Sequence, residues 1–270
     1  MQLHCMSKPK NILAALFVVL LSIQTALAES AFKECTSPLL LSASMDWFPY
    51  LYINEEGQST GSDIELLRLI LDELGCDITI AHFPERRSIY EQKKGNFDVG
   101  LGASLNKERL ARYHFSSQYR NEVNQFAYHS SDVALFNIKK FQDIITLNKK
   151  IALNLAGWYG PEIEASKTVN NNYIYTDTVT RRLKMLSFKR VDVVIDDYNV
   201  LCSEIARLPE GDLLTINPLI IFETPIYFIF NKDNISQEFV EQFNIVLENM
   251  KKDGRLAAHF IEYLPADCRK

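Results

Sequence analysis

The sequence predicts an α/β fold with two lobes, each a mainly parallel sheet flanked by helices, and two crossings of the chain that form a hinge over a cleft. Apolar runs of strand length alternate with amphipathic helical patterns, which is typical of parallel β-α-β units. Two similar segments, KKGNFDVGL (93–101) and SFKRVDVVI (187–195), place Asp98 and Asp192 at equivalent positions and support two lobes. Extended runs near residues 119–126 and 222–230 supply the crossings.

The first lobe is predicted to contain a β-α-β-α-β unit. It comprises strands at 39–43, 78–80 and 97–101 and helices at 62–75 and 88–94. Ser62 or Asp63 caps the first helix and Gly75 closes it, since apolar residues recur between them at helical spacing.

The second lobe repeats this plan, and the tail of the chain returns to the first lobe. The second lobe comprises strands at 150–155, 173–175 and 191–195 and helices beginning at Pro161 and Thr180. The tail comprises an extended run at 224–230 and an amphipathic helix whose apolar face spans 239–250. We therefore assign residues 29–121 and 225–270 to lobe 1 and residues 122–224 to lobe 2.

The amino terminus predicts export. Lys8 and Lys10 precede an apolar run at 11–23, and Ala26-Leu27-Ala28 follows, which together resemble the three regions of a secretory signal peptide. The run is shorter than the ~20 apolar residues that a membrane helix needs. Its alternative is a buried N-terminal helix. We expect cleavage after Ala28 and a soluble periplasmic product.

Charge and motifs narrow the class of protein. The 270-residue chain has a formal charge of −5, which becomes −7 without residues 1–28, since they contain two lysines and no acid. Nucleic-acid binding relies on clustered lysine and arginine, so this acidic chain is not expected to bind DNA or RNA. The sequence has no GxSxG or HExxH motif, and its histidines lack metal-ligand spacing. We expect a monomer without a cofactor or metal.

Four cysteines follow the signal peptide and match no zinc or CxxC spacing: Cys35, Cys76, Cys202 and Cys268. An oxidising compartment favours disulfides, and three pairings are possible. We predict Cys35–Cys76, because each lies just before a strand and both strand starts of a β-α-β unit reach the same sheet edge. Cys202–Cys268 is then the remaining pair.

The segment GASLNKERLARYHFSSQY (102–119) contains the strongest candidate site. Gly102 and the small residues after it end a strand, where a partner can approach the backbone closely. Arg109 follows in the first turn of a short helix, where the helix dipole favours acids instead. From the residues alone, Arg109 is either a solvated surface side chain or a side chain that faces a partner.

Several motifs, in order, resemble one family. They are Trp47-Phe48-Pro49-Tyr50, Gly61-Ser62-Asp63, Gly95-x-x-Asp98, Ser104-x-x-x-Glu108-Arg109 with Phe115-Ser116-x-x-Tyr119, Arg190-x-Asp192-x-x-x-Asp196-Asp197, and Met250 to Gly254. Over essentially the whole mature chain, the sequence resembles the family 3 bacterial extracellular solute-binding proteins, the periplasmic receptors for polar amino acids that serve ABC transporters. The resemblance implies a type II periplasmic-binding-protein fold, a small ligand with a carboxylate, and an inner-membrane ABC permease or a sensor as partner.

The resemblance also implies roles for individual residues. Arg109 falls where the family's arginine grips the ligand carboxylate, and Ser104 and Gly102 fall beside it as hydroxyl or backbone contacts. Asp197 falls where the family's aspartate meets the ligand's α-ammonium, with helix capping as its alternative role. Asp196 adds a charge where relatives often have a neutral residue, and it either joins the cleft or faces away.

Aromatic and basic residues are expected to complete the site. Trp47 and Tyr50 fall where family members cover the ligand's side chain, with core packing as the alternative. Arg86 begins a helix in which relatives place ligand-lining residues, or it forms a solvated corner. Gly157 and Trp158 stand in a loop where relatives have Gly-Ser/Thr-Thr, which widens the expected ligands to aromatic, modified or non-amino-acid molecules.

An enzyme is the alternative function. The same fold hosts a periplasmic cyclohexadienyl dehydratase in which a cleft carboxylate acts as general acid, a role open to Asp196 or Asp197. We expect binding without turnover, for amino-acid transport or sensing. Turnover of prephenate or arogenate would indicate the enzyme instead.

Overall fold

A computed structural model describes residues 32–43, 47–155, 157–264 and 268. The predicted signal peptide and its cleavage site, residues 1–28, lie outside these described residues. Within them, no helix combines the length and the apolar character needed to cross a membrane.

Strands and helices are numbered in chain order. The strands are β1 Leu39–Ala43, β2 Tyr52–Ile53, β3 Ser59–Thr60, β4 Ile78–His82, β5 Val99–Ser104, β6 Tyr113–Phe115, β7 Arg120–His129, β8 Ile151–Asn154, β9 Tyr173–Thr176, β10 Val193–Asp197 and β11 Leu214–Asn231. The helices are α1 Ser62–Glu73, α2 Glu85–Lys94, α3 Lys107–Arg112, α4 Val133–Phe136, α5 Phe141–Thr146, α6 Pro161–Ser166, α7 Val179–Ser187, α8 Tyr198–Arg207, α9 Gln237–Lys252 and α10 Arg255–Tyr263. Short 3-10 helices span Lys33–Thr36 and Gly211–Leu213.

One large sheet connects two groups of parallel strands. Its order is β4-β1-β5-β11-β7-β10-β8-β9, and β6 also pairs with β11. β1 runs parallel to β4 and β5, and β8 runs parallel to β9 and β10. β11 and β7 lie between the groups and run antiparallel to each other and to their outer neighbours. The two parallel groups are the sheets of the two lobes, and β7 and β11 are the crossings between them.

Each lobe has its own apolar core. In the first lobe, α1 and α9 pack their apolar faces on the sheet, and the buried side chains include Leu41, Leu67, Phe228 and Phe243. In the second lobe, α7 and α8 cover one face of the sheet, where Leu183 and Val194 are buried. The opposite face buries Phe126 and Ile195 against α5 and α6.

The predicted alternation of strands and helices is confirmed in both lobes, whereas several elements were not predicted. A small hairpin of β2 and β3 encloses residues 54–57. Helices α4 and α5 lie within residues 133–146, which carried no prediction, and α10 follows the predicted closing helix. The exact lobe boundaries, 121/122 and 224/225, remain a prediction.

Two disulfides are present among the described cysteines. Cys35 is bonded to Cys76 with a Cα–Cα distance of 4.7 Å, and Cys202 is bonded to Cys268 with 5.7 Å. These are the pairs that the sequence favoured. The second bond attaches the end of the chain to α8 of the second lobe.

Candidate ligand-binding cleft

The cleft lies where the parallel strands of the two lobes end. β5 ends at Ser104, which pairs with Ile226 of β11, and Ile226 pairs in turn with Arg120 of β7. β10 ends at Asp197, which pairs with Asn124 of β7. The carboxyl ends of β5 and β10 therefore face each other along β7, roughly 13 Å apart at the rise of a β-strand. Ligands of open α/β sheets bind outside such carboxyl ends.

A cavity of about 180 Å³ opens at this point. This volume is below the ~300–1,000 Å³ of sites for drug-sized ligands, so it suits a small metabolite better than a peptide. The lining combines charged, aromatic and small residues: Trp47, Gly102, Ser104, Arg109, Glu122, Asn154, Gly157, Trp158, Tyr159, Asp177, Val179, Arg182, Asp196 and Ile226.

Arg109 is positioned by the end of β5 and the start of α3. The Asn106 side chain caps α3 by accepting the Arg109 backbone N–H at 2.8 Å. Arg109 Nη1 donates to the Ser104 backbone oxygen at 2.8 Å and to Ser104 Oγ at 2.9 Å. Burial lowers the pKa of Arg109, while the charge of Glu122 acts in the opposite direction. Since arginine stays protonated in proteins, Arg109 gives the first-lobe wall a fixed positive charge.

Trp47 covers the end of β5. A Cβ atom added to Gly102 would lie 2.2 Å from the Trp47 ring, and Gly102 also has a positive φ of +68°. Glycine is therefore required for the indole to approach the strand. The Gly102 N–H donates to the Tyr119 hydroxyl at 3.1 Å, so this N–H is engaged within the protein.

The second-lobe wall is a loop folded around Tyr159. The Tyr159 hydroxyl accepts the Asn154 backbone N–H at 2.8 Å. A Cβ atom added to Gly157 would lie 2.5 Å from the Tyr159 ring, so the glycine permits this packing. The Trp158 ring packs edge-on against Phe222 at a centroid distance of 5.2 Å. Aromatic side chains thus face the cavity from both lobes.

A buried ion pair forms the floor of the second-lobe wall. Arg182 of α7 donates through Nη2 to Asp196 Oδ2, and its Nη1 donates to the Thr176 backbone oxygen at 3.3 Å. Asp196 Oδ1 accepts the Asp197 N–H at 2.9 Å. The side chains of Arg182 and Asp196 are only 2% and 12% exposed. Their charges largely neutralise each other at the cavity surface.

Glu122 lies on β7 between the two strand ends and lines the same cavity. Its Oε1 accepts one hydrogen bond, from Asn124 Nδ2 at 3.1 Å. Burial raises the pKa of Glu122 to about 7, and the charges of Asp197 and Asp196 add to this rise while Arg120 opposes it. Glu122 is therefore an acid that exchanges its proton near neutral pH.

A second set of charges lies beneath Trp47, and we call it the buried ion cluster: Asp63, Arg120, Tyr50, Tyr119 and Asp197. Arg120 Nη2 lies 3.1 Å from Asp63 Oδ2, and the two side chains are 6% and 0% exposed. The Arg120 guanidinium stacks on the Tyr50 ring at 3.7 Å. Tyr50 donates to Asp197 Oδ1 at 2.6 Å, and Tyr119 donates to Asp63 Oδ2. The acids and the arginine of this cluster are thus partnered within the protein, with Arg120 Nη1 the one nitrogen of that guanidinium left without a hydrogen bond.

The structure separates the predicted site residues into two sets. The residues on the cavity lining are Arg109, Ser104, Gly102, Trp47, Gly157 and Trp158, and their contact with a ligand remains a prediction. Asp197 and Tyr50 do not line the cavity, because both are buried and are joined by a hydrogen bond. Arg86 is exposed on α2 and is also absent from the lining. Asp197 caps the helix α8 in this structure, and contact of these three residues with a ligand stays an untested prediction.

A larger cavity of about 380 Å³ adjoins the first. The two share Gly102, Arg109, Gly157 and Trp158. Three charged residues on the lining of the larger cavity, Lys93, Glu108 and Arg112, are exposed. It is therefore the outer part of the same cleft. Among the described residues, no group of three His, Cys, Asp or Glu side chains is placed to hold a metal ion.

Comparison with known proteins identifies the family. The family model of the bacterial extracellular solute-binding proteins, family 3, matches residues 39–266. The chain belongs to this family. The solute-binding protein is 23% identical, over 87% of both chains, to a probable amino-acid ABC transporter-binding protein of Haemophilus influenzae. It is 24% identical to a probable amino-acid-binding protein of Bacillus subtilis, over 95% of this chain and 94% of the relative.

Solved structures show the same fold. An ancestral arginine-binding protein bound to arginine superposes with a TM-score of 0.73 at 22% identity, covering 86% of this chain and 100% of the other. A histidine kinase sensor domain with similarity to periplasmic binding proteins gives 0.74 at 18% identity, covering 84% and 96%. An ancestral amino-acid-binding protein described as a precursor of cyclohexadienyl dehydratase gives 0.68 at 22% identity, covering 85% and 96%. The solute-binding protein thus has the two-lobed periplasmic-binding-protein fold.

Four charged residues of the lining, Glu122, Asp177, Arg182 and Asp196, were missed or left undecided by the sequence. Glu122 lies within the predicted first crossing, where Arg120, Asn121, Asn124 and Gln125 are also polar, so no pattern distinguished it. Arg182 sits inside a predicted helix, where nothing in the pattern distinguishes it from its solvated neighbour Arg181. The sequence left the orientation of Asp196 open, and the structure places it on the cavity.

Proposed function

We propose that this protein captures a small carboxylate-bearing ligand, an amino acid or a derivative of one, between its lobes. Lobe closure then retains the ligand for ABC-transporter uptake or for sensing. The observation that supports this most is Arg109, a cavity-lining guanidinium that forms no ion pair with any acid in the described part of the chain. A guanidinium offers parallel N–H donors that match the two oxygens of a carboxylate.

The walls of the cavity support a ligand with an apolar or planar portion. Trp47 comes from the first lobe and Trp158 from the second, and both line the cavity. Their rings bury apolar surface and also receive cations on their faces. A carboxylate at Arg109 with its side chain between these rings matches the pattern of an amino acid.

The relatives support the same class of ligand and its setting. Both curated relatives carry names that denote probable amino-acid binding, and the superposed ancestral protein is bound to arginine. Membership in a family of extracellular solute-binding proteins supports the predicted signal peptide and a periplasmic location. A permease would be the partner in uptake, whereas the fold shared with a histidine kinase sensor domain supports sensing.

A thermal-shift panel of amino acids, dipeptides and small organic acids tests this proposal. A ligand that binds only the folded state adds about 2.7 kcal/mol to the free energy of unfolding at a hundredfold excess over Kd. We expect at least one acid to raise the melting temperature of the mature protein. No response from any member of the panel, with correctly folded protein, would contradict the proposal.

Arg109 variants locate the carboxylate. Arg109→Ala should weaken binding of the responding acid by about thirtyfold to several thousandfold, because truncating one partner of a desolvated charge pair costs about 2–5 kcal/mol. Arg109→Lys should recover part of the loss, since an ammonium lacks the two-pronged geometry. Arg87→Ala is the matched control, because Arg87 is a solvent-exposed arginine outside the cavity lining. Equal affinity in Arg109→Ala and Arg87→Ala would contradict a role for Arg109.

A periplasmic enzyme is the second candidate. The observation that favours it is Glu122, whose pKa is raised to about 7 and which therefore has the properties of a general acid. Incubation of the mature protein with prephenate and arogenate, followed by chromatography of the products, separates the two functions. If the wild type forms product and Glu122→Gln does not, the protein is an enzyme and the proposal of a receptor is wrong.

A further inference from the structure

We infer that Glu122, and not Asp197, receives the cationic group of the ligand whose carboxylate Arg109 holds. This inference rests on the proposed function and makes it more specific, since it assigns a zwitterionic ligand such as an α-amino acid to the cavity. It also transfers the role that the family resemblance gives to Asp197 to a residue on the hinge strand β7.

Asp197 is already occupied by hydrogen bonds from within the protein. Its Oδ1 accepts the Tyr50 hydroxyl at 2.6 Å and the backbone N–H groups of Asn199 and Val200 at 3.0 and 3.3 Å. Its Oδ2 accepts the Val123 N–H at 2.9 Å. Asp197 thus accepts four hydrogen bonds, three on Oδ1 and one on Oδ2, and every donor belongs to the protein. The residue is also only 1% exposed.

A cation of the protein already faces Asp197. The charge of Arg120 acts on Asp197, and the guanidinium stacks on the Tyr50 ring that is bonded to this carboxylate. Arg120 is held in place by Asp63, with Nε and Nη2 both near 3.1 Å from its oxygens. The internal guanidinium thus takes the electrostatic role that a ligand ammonium would otherwise have at Asp197.

The other acids of the cavity are also engaged. Asp196 forms the buried ion pair with Arg182. Asp177 lies 3.8 Å from Arg181, and its side chain is 52% exposed, so water screens its charge. Among the charged residues that line the described cavity, Arg109 and Glu122 are the two without an ion-pair partner.

Arg109 and Glu122 are placed to bind the two ends of one molecule. Both residues line the cavity, and burial lowers the pKa of Arg109 while the charge of Glu122 acts to raise it. The two side chains nevertheless form no ion pair within 4.0 Å. Ser104 anchors the guanidinium on one side, and β7 presents the carboxylate between the facing strand ends. A molecule that carries a carboxylate and an ammonium on the same carbon, as an α-amino acid does, can neutralise both charges.

Proton exchange at Glu122 provides a signature of this contact. The charged groups that face Glu122 are Asp197 and Asp196 of β10, Arg120 of β7 and Arg109 of α3, and the Tyr159 hydroxyl also interacts with it. An ammonium beside Glu122 favours its charged form, so binding should release a proton near neutral pH. With a pKa of about 7 in the free protein, the release at pH 7 should approach half a proton per ligand.

The experiment compares the twenty common L-α-amino acids with their desamino counterparts by thermal shift and then by calorimetry at pH 8. We expect an L-amino acid to bind more tightly than its desamino acid in the wild type. Glu122→Gln should weaken the strongest-binding L-amino acid about thirtyfold or more and leave its desamino acid unchanged or tighter, since the carboxylate no longer repels it. Glu223→Gln on β11 is the control, because Glu223 is exposed and outside the cavity lining.

Calorimetry in buffers of different ionisation enthalpy measures the proton release of the wild type, so the test does not depend on the folding of a variant. Release of about half a proton at pH 7, absent in Glu122→Gln, supports the inference. Equal affinity of wild type and Glu122→Gln, or binding without proton exchange, overturns it. If only desamino acids bind, the inferred contact between Glu122 and an ammonium is wrong, whereas the proposed binding of a carboxylate is supported. If neither set binds, the proposed function falls as well.

Discussion

The buried ion cluster and the cavity next to it contain the same kinds of side chain, yet their charges are arranged in opposite ways. In the cluster, Arg120 is paired with Asp63 and stacked on Tyr50, so every charge has a partner within the protein. In the cavity, Arg109 is oriented by neutral Ser104 atoms, and Glu122 accepts one hydrogen bond from an amide. The two arginines lie only eleven positions apart in the sequence, on opposite sides of β6 and the segment Ser116–Tyr119 that follows it.

This difference separates residues that hold the fold from residues available to a ligand. Paired charges fix β7 and the ends of the lobes in place, because removing either partner leaves a buried ion uncompensated. Unpaired charges in a solvent-accessible cavity are tolerated at lower cost and are neutralised when a ligand arrives. Mutations in the cluster should therefore change stability, and mutations in the cavity should change affinity.

The largest effect on stability is expected for Asp63→Ala. It leaves the Arg120 guanidinium buried without its ion-pair partner, which typically costs about 3–5 kcal/mol in the free energy of unfolding. Denaturant unfolding monitored by circular dichroism measures the loss. Glu73→Ala is the control, because Glu73 forms an ion pair with Arg255 whose side chains are 45% and 47% exposed. Such pairs contribute about 1 kcal/mol or less, and an equal loss in both variants would contradict the distinction.

A smaller loss of stability is expected for Asp197→Ala. The variant removes the N-cap of α8, worth about 1 kcal/mol, and leaves the buried Tyr50 hydroxyl without its acceptor, which costs about 1–3 kcal/mol. Affinity for an L-amino acid should change by less than about threefold, since Asp197 does not line the cavity. Calorimetry on the folded variant measures this affinity. A loss of thirtyfold or more would restore Asp197 as the ammonium contact.

The smallest effect concerns pH. The pKa of Glu122 is about 7 in the folded protein and near 4.3 in an unfolded chain, so the folded state binds the extra proton between these values. Stability contributed by this proton is present at low pH and is lost as pH rises through 7. Between pH 6 and pH 8, the unliganded wild type should lose about 1 kcal/mol relative to Glu122→Gln. Parallel unfolding curves at the two pH values measure the difference, and identical pH profiles would contradict it.

Much of the fold followed from sequence patterns, because its parallel strands and amphipathic helices have clear periodicity. The disulfide between Cys35 and Cys76 followed from the same topology, since the starts of β1 and β4 lie side by side. The hairpin of β2 and β3 was missed because each strand has only two residues. Such short strands depend on tertiary contacts and leave no alternation to detect.

The candidate site was only partly predictable. Asp196 and Asp197 are adjacent in a strand and direct their side chains to opposite faces, so only one of them can reach the cavity. Strand alternation alone does not say which one, and the family resemblance favoured Asp197. In the structure, Arg182 pairs with Asp196 on the cavity side, and Tyr50 donates to Asp197 on the opposite, buried side. Both contacts come from parts of the chain that are distant in sequence.

A crystal structure of the mature protein with the strongest-binding L-amino acid tests the central claim most directly. We expect the ligand carboxylate within hydrogen-bond distance, ~2.7–3.2 Å, of the Arg109 guanidinium and the ammonium at the same distance from Glu122. The bond between Tyr50 and Asp197 should remain as it is in the unliganded protein. A ligand carboxylate held away from Arg109, or an ammonium on Asp197 with Tyr50 displaced, would contradict this account.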